Sequence, residues 1–170
     1  MSPDGRLKAG LTAAMAVVVL AAAGALLFSR SGGGLGPLTG PVEFSAPNLS
    51  AGDLRGRPWV AGFVFTRCGG PCPLLSANMA RLQRRLPEAV SLVSFTVDPD
   101  FDTAEVLARY AERHGAEAGR WFFARLEPRP LFELVNAGFK LPVYIDPKAE
   151  PASRSIHSTK LVLVDAEGRV

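Results

Sequence analysis

The chain has 170 residues, of which 48% are hydrophobic and 21% are charged, a composition typical of a folded protein with room for one domain and a short additional segment. Its net charge is only +3, and no run of Lys or Arg forms the basic stripe of a nucleic-acid-binding protein, so no nucleic-acid partner is expected. Two cysteines in the whole chain are too few for a small secreted scaffold held together by disulfides.

The first apolar stretch, residues 9–29, contains no charged residue. As a helix it would be about 30 Å long, which matches the hydrocarbon core of a bilayer. It predicts an uncleaved single-pass transmembrane anchor after a tail at residues 1–8, with a cleaved signal peptide or a buried core helix as the alternatives. Arg6 and Lys8 before the segment favour a cytoplasmic N-terminus, which would place the rest of the chain on the periplasmic side of the inner (cytoplasmic) membrane.

Residues 30–41 are rich in glycine and proline and have no apolar period. They predict a flexible linker between the anchor and a domain over residues 42–170.

Within that domain, short continuous apolar runs alternate with stretches of helical spacing. The runs predict strands at residues 59–65, 91–97, 121–124 and 161–164. Helical spacing predicts helices at residues 74–86, 103–114 and 130–137. A hairpin turn is expected at residues 165–168. The alternation predicts an α/β fold with helices around a central sheet, and two cysteines after the first core strand indicate a thioredoxin-like arrangement.

The two cysteines, Cys68 and Cys72, lie in a glycine-rich loop after the first predicted strand, and a helix is expected to begin near Pro73. A helix N-terminus favours thiolate over thiol at Cys72. Gly69 and Gly70 are expected to let the loop fold back so that both sulfurs point the same way. Three residues separate the cysteines instead of the two in the usual dithiol oxidoreductase, and this wider loop can present both sulfurs to a metal.

Soft thiolates favour copper(I), with zinc as the main competitor. His157, in a predicted loop before the last strand, could supply an imidazole as third ligand, which suffices for copper(I), whereas structural zinc normally takes four ligands. A lone loop histidine is more often a solvated surface residue, and free cysteines are often inert core residues. The residue pattern by itself therefore leaves the ligand role of His157 open.

A polar stretch at residues 96–103 follows the second core strand, at the sheet edge where open α/β sheets bind ligands. Asp102 or Thr103 is expected to cap the next helix, and Asp98 is a candidate for the outer shell of the metal site. His114 ends that helix, where a charged imidazole would suit the helix dipole, and is interpreted as structural.

Three motifs, in this order, resemble the SCO/SenC copper proteins. They are Cys-x-x-x-Cys-Pro at 68–73, Thr-Val-Asp-Pro-x-x-Asp-Thr at 96–103, and a histidine before Leu-Val-Leu-Val-Asp-x-x-Gly at 157–168. The likeness extends over residues 42–170, and an N-terminal membrane anchor is usual in that family. Family members usually continue with a further strand and helix, so the C-terminal end of the domain is expected to be missing.

The resemblance implies a thioredoxin-like fold with copper held by Cys68, Cys72 and His157, and an aspartate at the position of Asp98 that influences metal binding without being a firm ligand. It also implies delivery of copper to, or reduction of the cysteines of, the binuclear copper site in a cytochrome oxidase subunit, or service to another copper client. The leading hypothesis is thus a copper metallochaperone. A thiol–disulfide oxidoreductase with Cys68 and Cys72 as its catalytic redox pair and a peroxide-reducing thiol enzyme are the alternatives.

Overall fold

The computed structural model describes residues 39–141, 143–145 and 155–170. The predicted tail, the predicted anchor at residues 9–29 and most of the predicted linker lie outside these residues. In the described part of the chain, no helix is long and apolar enough to cross a membrane. The strands are β1 (Ser45–Ala46), β2 (Leu49–Ser50), β3 (Trp59–Val64), β4 (Ser91–Thr96), β5 (Trp121–Ala124), β6 (Val143–Ile145), β7 (Ser155–His157) and β8 (Val162–Val164). The helices are α1 (Cys72–Arg85), α2 (Ala104–Arg113) and α3 (Pro128–Glu133), which continues into a π-helical turn at Leu134–Gly138.

The central sheet of the described residues has four strands in the order β5-β4-β3-β8. β3 pairs in parallel with β4, from Trp59 opposite Ser91 to Val64 opposite Thr96. On its other side, β3 pairs with β8 in the antiparallel direction. Every residue of β3 and β4 is buried, as expected for strands covered on both faces. The mixed α/β architecture predicted from the sequence is confirmed.

The core is built around aromatic side chains on these two central strands. The Phe63 and Phe95 rings stack with centroids 5.8 Å apart, and Phe139, which follows the π-helical turn, meets Phe63 edge-on at 5.3 Å. Trp59 and Trp121, the two tryptophans of the chain, are both buried. This packing fixes the carboxyl ends of β3 and β4, from which the candidate site extends.

The predicted boundaries differ from the structure mainly at short elements. The four predicted strands are present within one residue of their expected ends, and the third helix begins two residues earlier than predicted. β1 and β2, which pair with each other, and the pair β6 and β7 were not predicted. His157 was expected in a loop, but it is the last residue of β7, with its backbone opposite Val143.

Two turns, one after β2 and one after β8, are held by hydrogen bonds. Ser50 donates its backbone N–H and its hydroxyl to the exposed carboxylate of Asp53, at 2.8 and 2.7 Å. The predicted turn after β8 is confirmed: Gly168 N–H donates to the Asp165 carbonyl at 3.0 Å, and Gly168 has φ of +81°.

Candidate metal centre

The loop that carries both cysteines leaves the carboxyl end of the central strand β3. Cys68 is half-buried, and its N–H donates to the Phe65 carbonyl at 3.2 Å. Cys72 is the first residue of α1 and is only 1% exposed. The Cys68 and Cys72 side chains are hydrogen-bonded to each other. Neither cysteine is in a disulfide, and the fold brings the two predicted sulfur ligands into direct contact.

Burial, reinforced by the hydrogen bond to Cys68, raises the pKa of the Cys72 thiol to about 12. The prediction that the helix N-terminus would favour a thiolate is therefore wrong, although Cys72 does lie at that position. Removing the thiolate of Cys72 from water costs more free energy than its backbone hydrogen bond with Phe65 recovers. A cation that binds here must displace the proton, since sulfur ligates metals as thiolate.

The loop tip closes without a glycine-specific backbone. The loop does bring both sulfurs together, as expected. Neither Gly69 nor Gly70 has a positive φ, so the left-handed conformations that glycine adopts readily are not used here. A Cβ at Gly69 would meet nothing within 4 Å, and one at Gly70 would approach only the Cys68 sulfur, at 3.9 Å. Contacts at the base of the loop, and not its tip, therefore set its path.

One of these contacts is a buried carboxylate, Asp102, which is 0% exposed. It accepts the Thr66 N–H at 3.1 Å, the Thr66 hydroxyl and the Thr96 hydroxyl. The carboxylate thus joins the end of β4 to Thr66, two residues after the end of β3. Of the two residues predicted to cap the next helix, Thr103 is the cap, because its hydroxyl accepts the Val106 N–H at 3.4 Å. Asp102 instead holds the two threonines.

A second contact involves Asp98, the residue predicted for the outer shell of the metal site. Its Oδ2 accepts from Nε and Nη2 of Arg67, at 3.0 and 2.6 Å. The Arg67 guanidinium also lies over the ring of Phe101, 4.1 Å from its centroid. Since Arg67 directly precedes Cys68, the structure places Asp98 beside the cysteine loop and in an ion pair.

A pair of hydroxyls supports the other side of the site. Ser76, one turn into α1, and Tyr110, on α2, are both buried and lie 2.8 Å apart at their hydroxyl oxygens. The ring of His114 packs on Tyr110, with centroids 4.4 Å apart. Burial and the neighbouring Arg113 charge lower the pKa of His114, so these contacts work against the charged form that would suit the helix dipole. The contact with Tyr110 fits the structural role expected for this residue.

The third predicted ligand, His157, has its backbone in β7, opposite Val143. Its side chain lies outside the described part of the structure. Among the described residues, no group of three or more His, Cys, Asp and Glu side chains could hold a metal ion. The structure thus brings together Cys68 and Cys72, and the ligand role of His157 stays a prediction.

Sequence reasoning missed three residues that shape this site: Thr66, Arg67 and Asp102. The acidic residue at 102 stood out only as a helix cap, because a single sequence does not reveal which carboxylate turns inward. Arg67 adjoins a cysteine, and that position was the one available signal for an electrostatic role.

The sequence profile of the SCO1/SenC family matches residues 45–170. The chain belongs to the SCO1/SenC family. The SCO1 protein homolog of Bacillus subtilis (strain 168) is 32% identical over 127 residues, which are 72% of this chain and 64% of that protein. A putative copper-binding protein of Stutzerimonas stutzeri is 28% identical over 131 residues, 75% of this chain and 62% of that protein.

Among solved structures, that of BsSco is similar over 79% of this chain and 83% of its own, with 29% identity and a TM-score of 0.64. BsSco is described as a member of the Sco family of cytochrome c oxidase assembly proteins with a disulfide switch. The thioredoxin-like fold of this SCO1/SenC member is thereby established. The chain spans less than two thirds of the length of the two relatives named above.

Proposed function

We propose that this SCO1/SenC protein is a membrane-anchored metallochaperone that carries copper as cargo on Cys68, Cys72 and His157. Its client would be the subunit of cytochrome c oxidase that holds the binuclear copper site. The observation that carries the proposal is the contact between the Cys68 and Cys72 thiols, neither of them in a disulfide, after the carboxyl end of the central strand β3. Family membership and a relative described as a putative copper-binding protein support it.

The donor chemistry of the loop fits copper(I). Two soft sulfur ligands already lie together, and one imidazole would complete a three-coordinate site. The buried thiol of Cys72 must give up its proton on binding, so loading releases protons and is favoured by rising pH. Cys68, which is only half-buried, is the sulfur that an incoming ligand of the client can reach first, and transfer would begin by exchange at that side.

The anchor and the compartment belong to the same proposal. Residues 9–29 would cross the inner membrane once, and residues 30–41 would link them to the domain at residues 42–170 on the periplasmic side. This arrangement would hold the copper loop near a client that is itself inserted in the membrane.

The test is a titration of the reduced full chain, purified in detergent, with copper(I) against a competing chelator. We expect one copper per chain, with affinity about a hundredfold lower in His157→Ala, which corresponds to about 2.7 kcal/mol of lost ligand energy. His114→Ala is the matched control, because it removes the only other histidine of the chain and should leave the affinity unchanged. Equal affinities in the two variants would remove His157 from the site.

A thiol–disulfide oxidoreductase is the second candidate, favoured by the same contact between the thiols. The Cys68 thiolate would attack a client disulfide, form a mixed disulfide and release the second client sulfur, which takes up a proton. Cys72, on losing its proton, would then attack the Cys68 sulfur and release the other client thiol. The client gains two electrons and two protons, and a Cys68–Cys72 disulfide remains.

The His157→Ala variant distinguishes the two candidate functions. Single-turnover reduction of a disulfide-bonded peptide should survive His157→Ala if the dithiol reaction stands by itself, while copper binding should not. Cys68→Ser and Cys72→Ser should each abolish both activities. Retention of either activity in one of these variants would show that the two sulfurs do not act as a unit.

A further inference from the structure

One outer edge of the central sheet is β5, which pairs only with β4 among the described strands. The Leu92 N–H donates to the Arg120 carbonyl at 2.8 Å, and this bond fixes the phase of the parallel ladder. The N–H and C=O groups of Phe122 therefore face β4, while those of Trp121 and Phe123 point away from the sheet. An unpaired strand edge of this kind can serve as a template for a further strand.

Half of the outward backbone groups of β5 are already engaged within the chain. The Trp121 N–H donates to the Glu117 carbonyl at 3.0 Å. The Phe123 carbonyl accepts from Nδ2 of Asn48 at 3.0 Å. No described residue pairs with the two groups that remain, the Trp121 carbonyl and the Phe123 N–H. The edge therefore presents one acceptor and one donor, on either side of Phe122.

The spacing of these two groups matches one residue of a parallel strand. In a parallel ladder, a residue donates its N–H to the carbonyl just before the residue opposite it and accepts the N–H just after that residue. A segment parallel to β5 would satisfy both groups with the one residue that lies opposite Phe122. An antiparallel strand would instead meet the Trp121 N–H and the Phe123 carbonyl, which are already engaged. The same engagements limit the pairing to a single residue.

The open edge lies in a groove with room for such a segment. The groove runs between α2 and the turn that joins β1 to β2, and its volume is about 620 Å³. Ala108 and Ala111 form part of its helix wall, and their small side chains leave the groove open. The Phe123 side chain points to that wall, because its ring packs on Tyr110 of α2 with centroids 5.9 Å apart. The residues before and after the paired one would point the same way, toward apolar side chains.

We propose that this groove docks a short extended segment of a partner protein, which adds to the sheet parallel to β5. The segment would have apolar residues on both sides of the one opposite Phe122. It would carry no net charge, because the charged residues that line the groove are one acid and one base, Glu105 and Arg125. A second copy of this chain fits less well, since its own β5 lies in an equal groove and the groove walls would meet before the strands. No lining residue belongs to the cysteine loop, so the docking surface is independent of the proposed copper function.

The experiment uses the full chain in detergent, isotope-labelled so that the Phe123 amide is observed by nuclear magnetic resonance. The probe is an acetylated and amidated pentapeptide, Thr-Val-Thr-Val-Thr, whose central residue would lie opposite Phe122. A contact of two backbone hydrogen bonds and two valine side chains is expected to have a dissociation constant of about 1 mM. At about five times that concentration, hydrogen exchange of the Phe123 N–H should slow about fivefold, because the amide then has an acceptor.

Matched controls separate backbone pairing from apolar adhesion. Methylation of the central peptide nitrogen removes the N–H that would donate to the Trp121 carbonyl and keeps every side chain, so this peptide should bind about tenfold more weakly. In the protein, Ala108→Trp fills the groove from an exposed position of α2 and should weaken binding of the original peptide by about tenfold or more. Ala77→Trp makes the same change at an exposed position of α1 outside the groove, and its affinity should stay within about twofold.

Three results would overturn the proposal. The first is unchanged exchange of the Phe123 N–H at the highest peptide concentration. The second is equal binding of the methylated and unmethylated peptides, which would reduce the groove to an apolar patch without strand pairing. The third is a concentration-dependent dimer of the original chain that is lost in Ala108→Trp, which would assign the groove to a second copy. Copper(I) binding is measured separately, so failure of the proposed function would leave these results unaffected.

Discussion

Replacing Asp102 by alanine removes the single acceptor of three hydrogen bonds at the base of the cysteine loop. A buried donor that loses its partner costs about 1–3 kcal/mol. The Thr96 hydroxyl is fully buried and bears that cost in full, while the two donors of half-buried Thr66 recover part of theirs from water. We therefore expect Asp102→Ala to lower the free energy of unfolding by about 3–5 kcal/mol, a large share of the roughly 5–15 kcal/mol typical of a domain.

Urea unfolding of the full chain, followed by tryptophan fluorescence, measures this loss. Both tryptophans are buried in the domain, so the signal reports its unfolding. Asp102→Asn keeps one acceptor oxygen and should cost about 1–2 kcal/mol. Asp53→Ala is the control, because Asp53 also accepts a backbone N–H and a serine hydroxyl but lies at the surface.

The burial argument requires a clear gap between these variants. We expect Asp53→Ala to cost about 1 kcal/mol or less, since its donors return to water. If Asp102→Ala cost no more than Asp53→Ala, the buried carboxylate would not be what holds the loop, and the reasoning would be refuted.

Two further predictions concern pH and a turn. Burial raises the pKa of Cys72 from 9.0 to about 12, so the folded state keeps a proton that the unfolded chain loses. The free energy of unfolding that this proton contributes is complete below pH 9 and is lost as the pH rises toward 12. The urea midpoint of unfolding should therefore fall more steeply between about pH 8 and 10.5 in the original chain than in Cys72→Ala. Equal falls of the midpoint with pH in the two proteins would contradict the raised pKa of Cys72. Gly168→Ala places a Cβ on a residue with φ of +81° and against the Arg55 guanidinium. Gly119 has a similar φ of +78° with nothing within 4 Å, so Gly168→Ala should cost about 1 kcal/mol more in urea unfolding than Gly119→Ala, and equal costs would show that only the backbone conformation matters.

The parts of the fold that sequence reasoning captured are those in which burial leaves a continuous signal. β3 and β4 are covered on both faces, so neither strand contains a charged residue and both runs are visible without an alignment. α2 is preceded by Thr103, whose hydroxyl caps it, and such caps are readable locally. The two-residue strands β1 and β2 are too short to show any period.

At the site, the sequence indicated that the two cysteines come together, but it did not indicate how far each side chain is buried from water. The contact of Cys68 with Cys72 follows from their spacing at the end of a strand. The raised pKa of Cys72 does not, because it depends on side chains from distant elements that exclude water. Likewise, the choice between Asp102 and Thr103 as helix cap was decided by the two threonine hydroxyls that approach Asp102 from β4 and the loop.

The exposed tip of the cysteine loop lies between the two thiols but takes no part in the packing of the core. Residues 69–71 are exposed, have no positive φ and leave room for a Cβ at both glycines. The contacts of Asp102 with Thr66 and of Asp98 with Arg67 hold the residues that precede Cys68. Substitutions at the tip can therefore alter the reduction potential and ligand access of the thiols without any change in the core. The contacts that hold the loop thus lie outside Gly69 and Gly70, and substitution of these two residues by alanine is expected to leave the core packing intact.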